Sequence, residues 1–159
     1  MSTKSRRNGS QRKVAILERE LYRPVGELPL LRRRIIQTAY EVAFDRKRVD
    51  LVALTSRGEI VAIEFKVKDW RRVIWQASIN QLFADFSYVA VWHTAIKFMD
   101  ILGLSQQGIG IIKVGESGAR MVRRAKQSPV QREAHRNAMT EVLSGGDRIQ
   151  QPDRTQQVS

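Results

Sequence analysis

The sequence has no cysteine and only two histidines, His93 and His135. This excludes a disulfide framework, a Cys-ligated zinc and a thiol nucleophile, and it leaves no poly-histidine metal site. Long apolar runs are missing too, since none approaches the roughly 20 residues that a membrane helix needs. Only Val14-Ala15-Ile16-Leu17 separates the basic N-terminus from Glu18, too short for the core of a signal peptide. There is no glycine-rich phosphate loop and no internal repeat, and no small-molecule organic cofactor is expected. These absences predict an intracellular (cytoplasmic or nucleoid-associated), basic, single-domain protein with no membrane partner.

Acids are scarce beside bases. Lys and Arg number 28 against 16 Asp and Glu, a net charge of +12 over 159 residues. A surface that basic suits a polyanion, of which nucleic acid is the commonest. Residues 1–13 carry five bases and no acid among Ser, Gly and Asn, and read as a disordered basic arm. Residues 144–159 balance to zero, with Gly145-Gly146, Pro152 and many Gln, and read as a disordered tail. The body, 14–143, keeps the remaining excess. Its bases cluster at Arg32-Arg33-Arg34, Arg46-Lys47-Arg48, Lys68 with Arg71-Arg72, and Arg120 to Lys126. One such cluster is an ordinary solvated face. Several in one small domain point to DNA, with the first three groups as candidate contacts.

Hydrophobic periodicity predicts a first helix over 14–23, ended by Pro24 and Gly26, and a short helix over 27–36. Strands follow at 38–44, 49–55 and 59–68, with a charged turn at 45–48 and a tight turn at Ser56-Arg57-Gly58. A helix over 70–84, a strand at 88–92, a helix over 95–103, and strands at 108–114 and 119–125 come next. Pro129 opens a last helix that runs to about Leu143. The order predicts an α/β domain with a mixed sheet and helices packed on it.

The informative stretch is Val49 to Lys68. With Gly58 in the left-handed position of a three-residue turn, Asp50 lies opposite Glu64, and Val52 opposite Ala62. Val49, Leu51, Ala53, Val61, Ile63, Phe65 and Val67 then make one apolar face. A two-residue turn would slide Asp50 onto that face, an expensive place for an unpaired carboxylate. The apolar pattern therefore selects the register that joins the two acids. Two carboxylates so close repel each other unless a cation lies between them. With oxygen ligands and little else, Mg²⁺ or Mn²⁺ is the natural ion, and the Phe65 carbonyl is a further ligand candidate. Lys66, two residues after Glu64, points to the same side, where an ammonium suits an attacking water or charge on a phosphate. The set suits phosphodiester hydrolysis.

Val49-Asp50, the turn, and Ile63-Glu64-Phe65-Lys66 resemble the PD-(D/E)XK nuclease superfamily, with Val49 in place of the Pro that names the motif. Ala62 to Lys68, then Asp69-Trp70-Arg71-Arg72 and a Gln-bearing helix, look like its third strand and following helix. Leu17-Glu18-Arg19-Glu20-Leu21 is similar to the first helix of Holliday-junction-resolvase-like members. The resemblance spans roughly residues 14–92. It implies a restriction-endonuclease-like sheet with helices on both faces, in the order αβββαβ plus C-terminal strands and a helix. It implies a Mg²⁺-dependent DNA endonuclease with Asp50, Glu64 and Lys66 at its centre. Glu18, nearer the apolar helix face than Glu20, would complete the metal site, and Gln76 would lie close to metal or phosphate. Members often dimerise, which makes a second copy of the chain an expected partner. The alternative is a DNA-binding or accessory module that keeps the fold without catalysis.

Overall fold

A computed structural model describes residues 18–26, 28 and 34–145. The expected basic arm, Arg32 and Arg33, and the tail beyond Gly145 lie outside the described residues. A six-stranded mixed sheet forms the centre: β1 (Ile35–Phe44), β2 (Lys47–Thr55), β3 (Ile60–Lys66), β4 (Phe86–Trp92), β5 (Gly110–Gly115) and β6 (Gly118–Arg123). The strands lie side by side in chain order. The pairs β1–β2, β2–β3 and β5–β6 are antiparallel, whereas β3–β4 and β4–β5 are parallel. Each parallel step needs a crossover. Helix α2 (Trp70–Asn80) supplies the first, and a short 3₁₀ turn (Ile96–Phe98) with α3 (Ile101–Gln106) supplies the second. A 3₁₀ turn (Glu18–Leu21) runs into α1 (Tyr22–Gly26) before the sheet, and α4 (Glu133–Gly145) follows it.

The loops have local causes. Asp45 and Arg46 both adopt positive φ, 42° and 61°, so β1 and β2 are joined by two residues in the mirror-image turn whose twist suits a hairpin. Lys47 and Arg48, expected in a longer turn, are strand residues instead. The second hairpin is the expected one: Gly58 has φ 74° and its N–H donates to the Thr55 carbonyl at 2.9 Å. Asp69 starts α2 by accepting from the Arg72 N–H, and Asp100 starts α3 by accepting from Gly103. Helix α2 stops at Asn80 rather than 84, and α4 begins at Glu133 rather than at Pro129. Pro24 lies inside α1, whose first turn tolerates a residue without an N–H. Ile35 and Ile36, expected at the end of a helix, open β1.

Helices cover both faces of the sheet. On one, Leu21, Tyr22 and Val25 pack on Leu51, Ala53, Ile63, Phe65, Tyr88 and Ile112. On the other, Val73 and Ala77 of α2 and Leu104 of α3 meet Val89, Val91 and Ile111. Beside them, Met139 and Leu143 of α4 meet Ala39, Val52, Ile60, Ala62 and Phe83. Tyr88 is fully buried beside Gly110, where any Cβ would overlap its ring. Full burial of a side chain this size contributes roughly 1.5–3 kcal/mol.

One register detail departs from the alternation. Val49 packs with Val42 and Val52, not with Leu51. The strand changes face at Asp50. Across from it, between the pairs Tyr40–Leu51 and Val42–Val49, stands Glu41 with φ 53°. A left-handed residue inside a strand turns the next side chain to the opposite face.

Candidate functional site

The β2–β3 ladder pairs Leu51 with Ile63 and Val52 with Ala62, the register that the apolar pattern predicts. Beyond Leu51 the direct pairing stops, and a side chain takes over: Asp50 Oδ2 accepts from the Phe65 N–H at 2.7 Å. In an extended strand the N–H and C=O of one residue face the same neighbour, so the Phe65 carbonyl is turned toward β2 and Asp50. Glu64 has no solvent exposure and projects to the α2 side. Its Oε1 accepts from Asn80 Nδ2 at 2.6 Å, while its Oε2 is buried without any hydrogen-bond donor.

Burial first, and then the charge of Asp50, push the Glu64 carboxyl up to about 7, against the opposing effects of Asn80 and Lys47. Burial also raises Asp50, opposed by the Phe65 N–H. The two carboxyls form one interacting pair in which Glu64 is the better proton holder.

Two cationic groups, Lys66 and Lys47, flank the pair. Lys66, at the end of β3, gives its ammonium to both oxygens of Glu18 at 2.8 and 2.9 Å and lowers the Asp50 pKa through its charge. Lys47 donates to Asn80 Oδ1 at 2.5 Å and to the Gln76 carbonyl at 3.4 Å, with Glu64 Oε1 4.0 Å away. Burial lowers the Lys47 pKa, and the charges of Glu64 and Asp50 act against that. Arg48 lies 3.6 Å from Glu41 Oε2, and Glu41 Oε1 accepts from the Tyr22 hydroxyl at 2.6 Å. Tyr22 stacks on Tyr40 and tilts against Phe65, and burial followed by the Glu41 bond raises its pKa.

The fold therefore brings together Asp50, Glu64, Lys66 and Glu18 of the predicted set, with the Phe65 backbone beside them. Gln76 lies on the α2 face that reaches Lys47, and its Oε1 is buried without a partner. Arg34, Arg46, Arg48, Lys68, Arg71 and Arg72 are exposed, as a polyanion contact requires. Lys47, expected among them, is turned inward with 19% of its side chain exposed. Of the aromatics, Tyr88 belongs to the core, while Trp75 is 62% exposed. Sequence reasoning did not single out Asn80, Tyr22 or Glu41 as site residues. Their signals were a polar residue one turn after Gln76, a Tyr beside the Glu18 segment, and an acid four residues before Asp45.

Among the described residues no group of three or more Asp, Glu, His or Cys side chains is placed to hold a metal ion. A divalent cation nonetheless suits the donors present. Glu64 offers a buried oxygen without a donor, Asp50 a second carboxylate fixed by a backbone N–H, and Phe65 a carbonyl on the same side. Mg²⁺ commonly takes only one or two carboxylates and draws its other oxygens from water or phosphate.

No protein-family model matches the chain, and no curated protein matches it. Among solved structures it is similar to the SPO1766 protein of unknown function from Silicibacter pomeroyi, at 18% identity and a TM-score of 0.60. The match covers 82% of this chain and 86% of that one. At this identity the likeness concerns the fold alone. No helix among the described residues is long and apolar enough to cross a membrane.

Proposed function

We propose that the chain is a Mg²⁺- or Mn²⁺-dependent DNA endonuclease with a restriction-endonuclease-like (PD-(D/E)XK) domain. The observation that carries the reading is the Asp50–Glu64 pair, which leaves a buried carboxylate oxygen without a donor at the point where β2 and β3 stop pairing. The hairpin, the α2 crossover and the parallel β4 support this reading, and the exposed arginines supply the charge for a phosphate backbone.

In this reading Asp50, Glu64 and the Phe65 carbonyl hold the ion, with Glu18 beside them. A bound divalent ion supplies positive charge at a phosphate oxygen, where negative charge grows during hydrolysis. The Phe65 N–H fixes the rotamer of Asp50, and Asn80 fixes that of Glu64. Lys66 orients the attacking water and stabilises charge on the phosphate, and Glu18 steers its ammonium. Gln76 approaches the phosphate from α2. DNA enters across Arg34, Arg46, Arg48, Lys68, Arg71 and Arg72.

The test is incubation of the full chain with supercoiled plasmid, with and without Mg²⁺ or Mn²⁺. The parent should nick or linearise it only with metal. Asp50→Asn and Glu64→Gln should abolish cleavage while keeping or raising DNA affinity. Lys66→Ala should lose on the order of a hundredfold or more in turnover. Cleavage by all three variants at the parent's rate would place the chemistry elsewhere.

A second reading, a DNA-binding or accessory module without catalysis, is favoured by one observation. The two-point contact between Lys66 and Glu18 occupies the ammonium and a candidate ligand with each other. A parent that binds DNA and never cuts it with any divalent metal would establish that reading instead.

A further inference from the structure

With Glu64 ionised, Lys47 and Glu64 are an oppositely charged pair in a poorly solvated setting, with 19% and 0% of their side chains exposed. Such ions, left to themselves, close to about 2.8 Å. Here the ammonium stops 4.0 Å from Glu64 Oε1. The fully buried Asn80 amide lies between them, bonded to both. Its orientation is fixed by its partners. An ammonium can only donate, so it takes Oδ1; the Glu64 oxygen takes the Nδ2 N–H. The Gln76 carbonyl, one helical turn earlier, takes a second Lys47 donor. Helix α2 thus holds the ammonium at two points, and Glu64 Oε2 has no amide or ammonium donor, the remaining partner of Glu64 being the Asp50 carboxyl.

We propose that Asn80 is a positioning residue that holds the Lys47 ammonium off Glu64, so that the Asp50–Glu64 oxygens stay open to a divalent cation. Without the Asn80 amide, Lys47 closes on Glu64 and becomes an internal cation that competes with the metal. The inference rests on the metal-site reading above and adds two residues of this chain to it. It also explains why the lysine that opens β2 is carried inward instead of joining the exposed Arg46 and Arg48.

The experiment is calorimetric titration of Mn²⁺ into the full chain without DNA, at fixed pH and ionic strength. It compares the parent with Asn80→Ala, Lys47→Met, the double variant and Glu64→Gln. Asn80→Ala should weaken Mn²⁺ binding tenfold or more. Lys47→Met should tighten it severalfold, and in the Asn80→Ala background it should restore at least the parent affinity. Parent-like affinity in Asn80→Ala, or a double variant as weak as Asn80→Ala, overturns the proposal. Binding lost in Glu64→Gln but untouched by Asn80→Ala sinks this proposal alone. A parent that binds no Mn²⁺, or whose binding Glu64→Gln leaves unchanged, sinks the metal-site reading and this proposal with it. Melting temperatures without metal show which variants fold. If Asn80→Ala does not, Lys47→Met alone decides, and an unchanged or weaker affinity there overturns the proposal.

Discussion

A carboxyl group without solvent exposure, with a second carboxyl against it, resists ionisation, and Glu64 is in that position. Its value in the folded chain, about 7, lies above the 4.5 of a solvated glutamate. Between those two pH values the folded chain holds a proton that the unfolded chain releases. Stability should therefore fall as pH rises from about 4.5 to about 7 and level off above, by roughly 3 kcal/mol in all. The raised Asp50 acts in the same direction. Urea denaturation across this range should show the fall in the parent and a much flatter profile in Glu64→Gln; equal slopes would count against the buried pair. The closeness of Asp50 and Glu64 was legible in the sequence because only one hairpin register keeps both acids off the apolar face. The inward turn of Lys47 was not. Between two arginines it reads as solvated charge, and its partner Asn80 comes from a helix 33 residues away.

Within β1 the backbone of Glu41 is the exceptional element, since a non-glycine residue at φ 53° costs energy that a regular strand avoids. No sequence signal announces it, which is why alternation placed Val49 on the wrong face. Substitution there should invert the usual strand preferences. Glu41→Gly relieves backbone strain while losing the Tyr22 hydroxyl bond, effects of about 1 kcal/mol each and opposite in sign. Glu41→Val, although Val favours strands, puts a β-branched side chain at positive φ and should destabilise by about 2 kcal/mol more than Glu41→Gly. Chemical denaturation of the two variants checks this, and Val equal to or better than Gly would show the residue to be unstrained. The second hairpin was readable because Gly58 marks its own turn. The first was expected with a longer turn, 45–48, because Asp45-Arg46 lacks the glycine that such a two-residue turn usually carries.

At the scale of the whole molecule the α/β class and the strand succession follow from the periodicity of the chain. The end of α2 and the start of α4 do not, because the terminal turns of a helix depend on what they pack against. Charge belongs to this scale as well. If Arg71 and Arg72, exposed at the start of α2, each touch a DNA phosphate, replacing both with Ala should flatten the log–log salt dependence of binding by ~1.8, at ~0.9 per contact. An unchanged slope, measured by fluorescence anisotropy over a salt series, would remove α2 from the DNA path. The sheet's order has a consequence for the way the chain is made. Each strand lies beside the one synthesised just before it. The sheet can thus be extended from one edge as the chain emerges, without reopening a finished pair, and short sequence separations of this kind favour rapid folding. The final helix is different. Gln37 donates to the Leu143 carbonyl across 106 residues, and Arg136 reaches the Gly58 carbonyl across 78. Until α4 arrives, the surface of Ala39, Val52, Ala62 and Phe83 that it covers stands open. A nascent chain truncated before Glu133 therefore presents that surface to other chains, and its hazard is aggregation rather than failure to form the sheet.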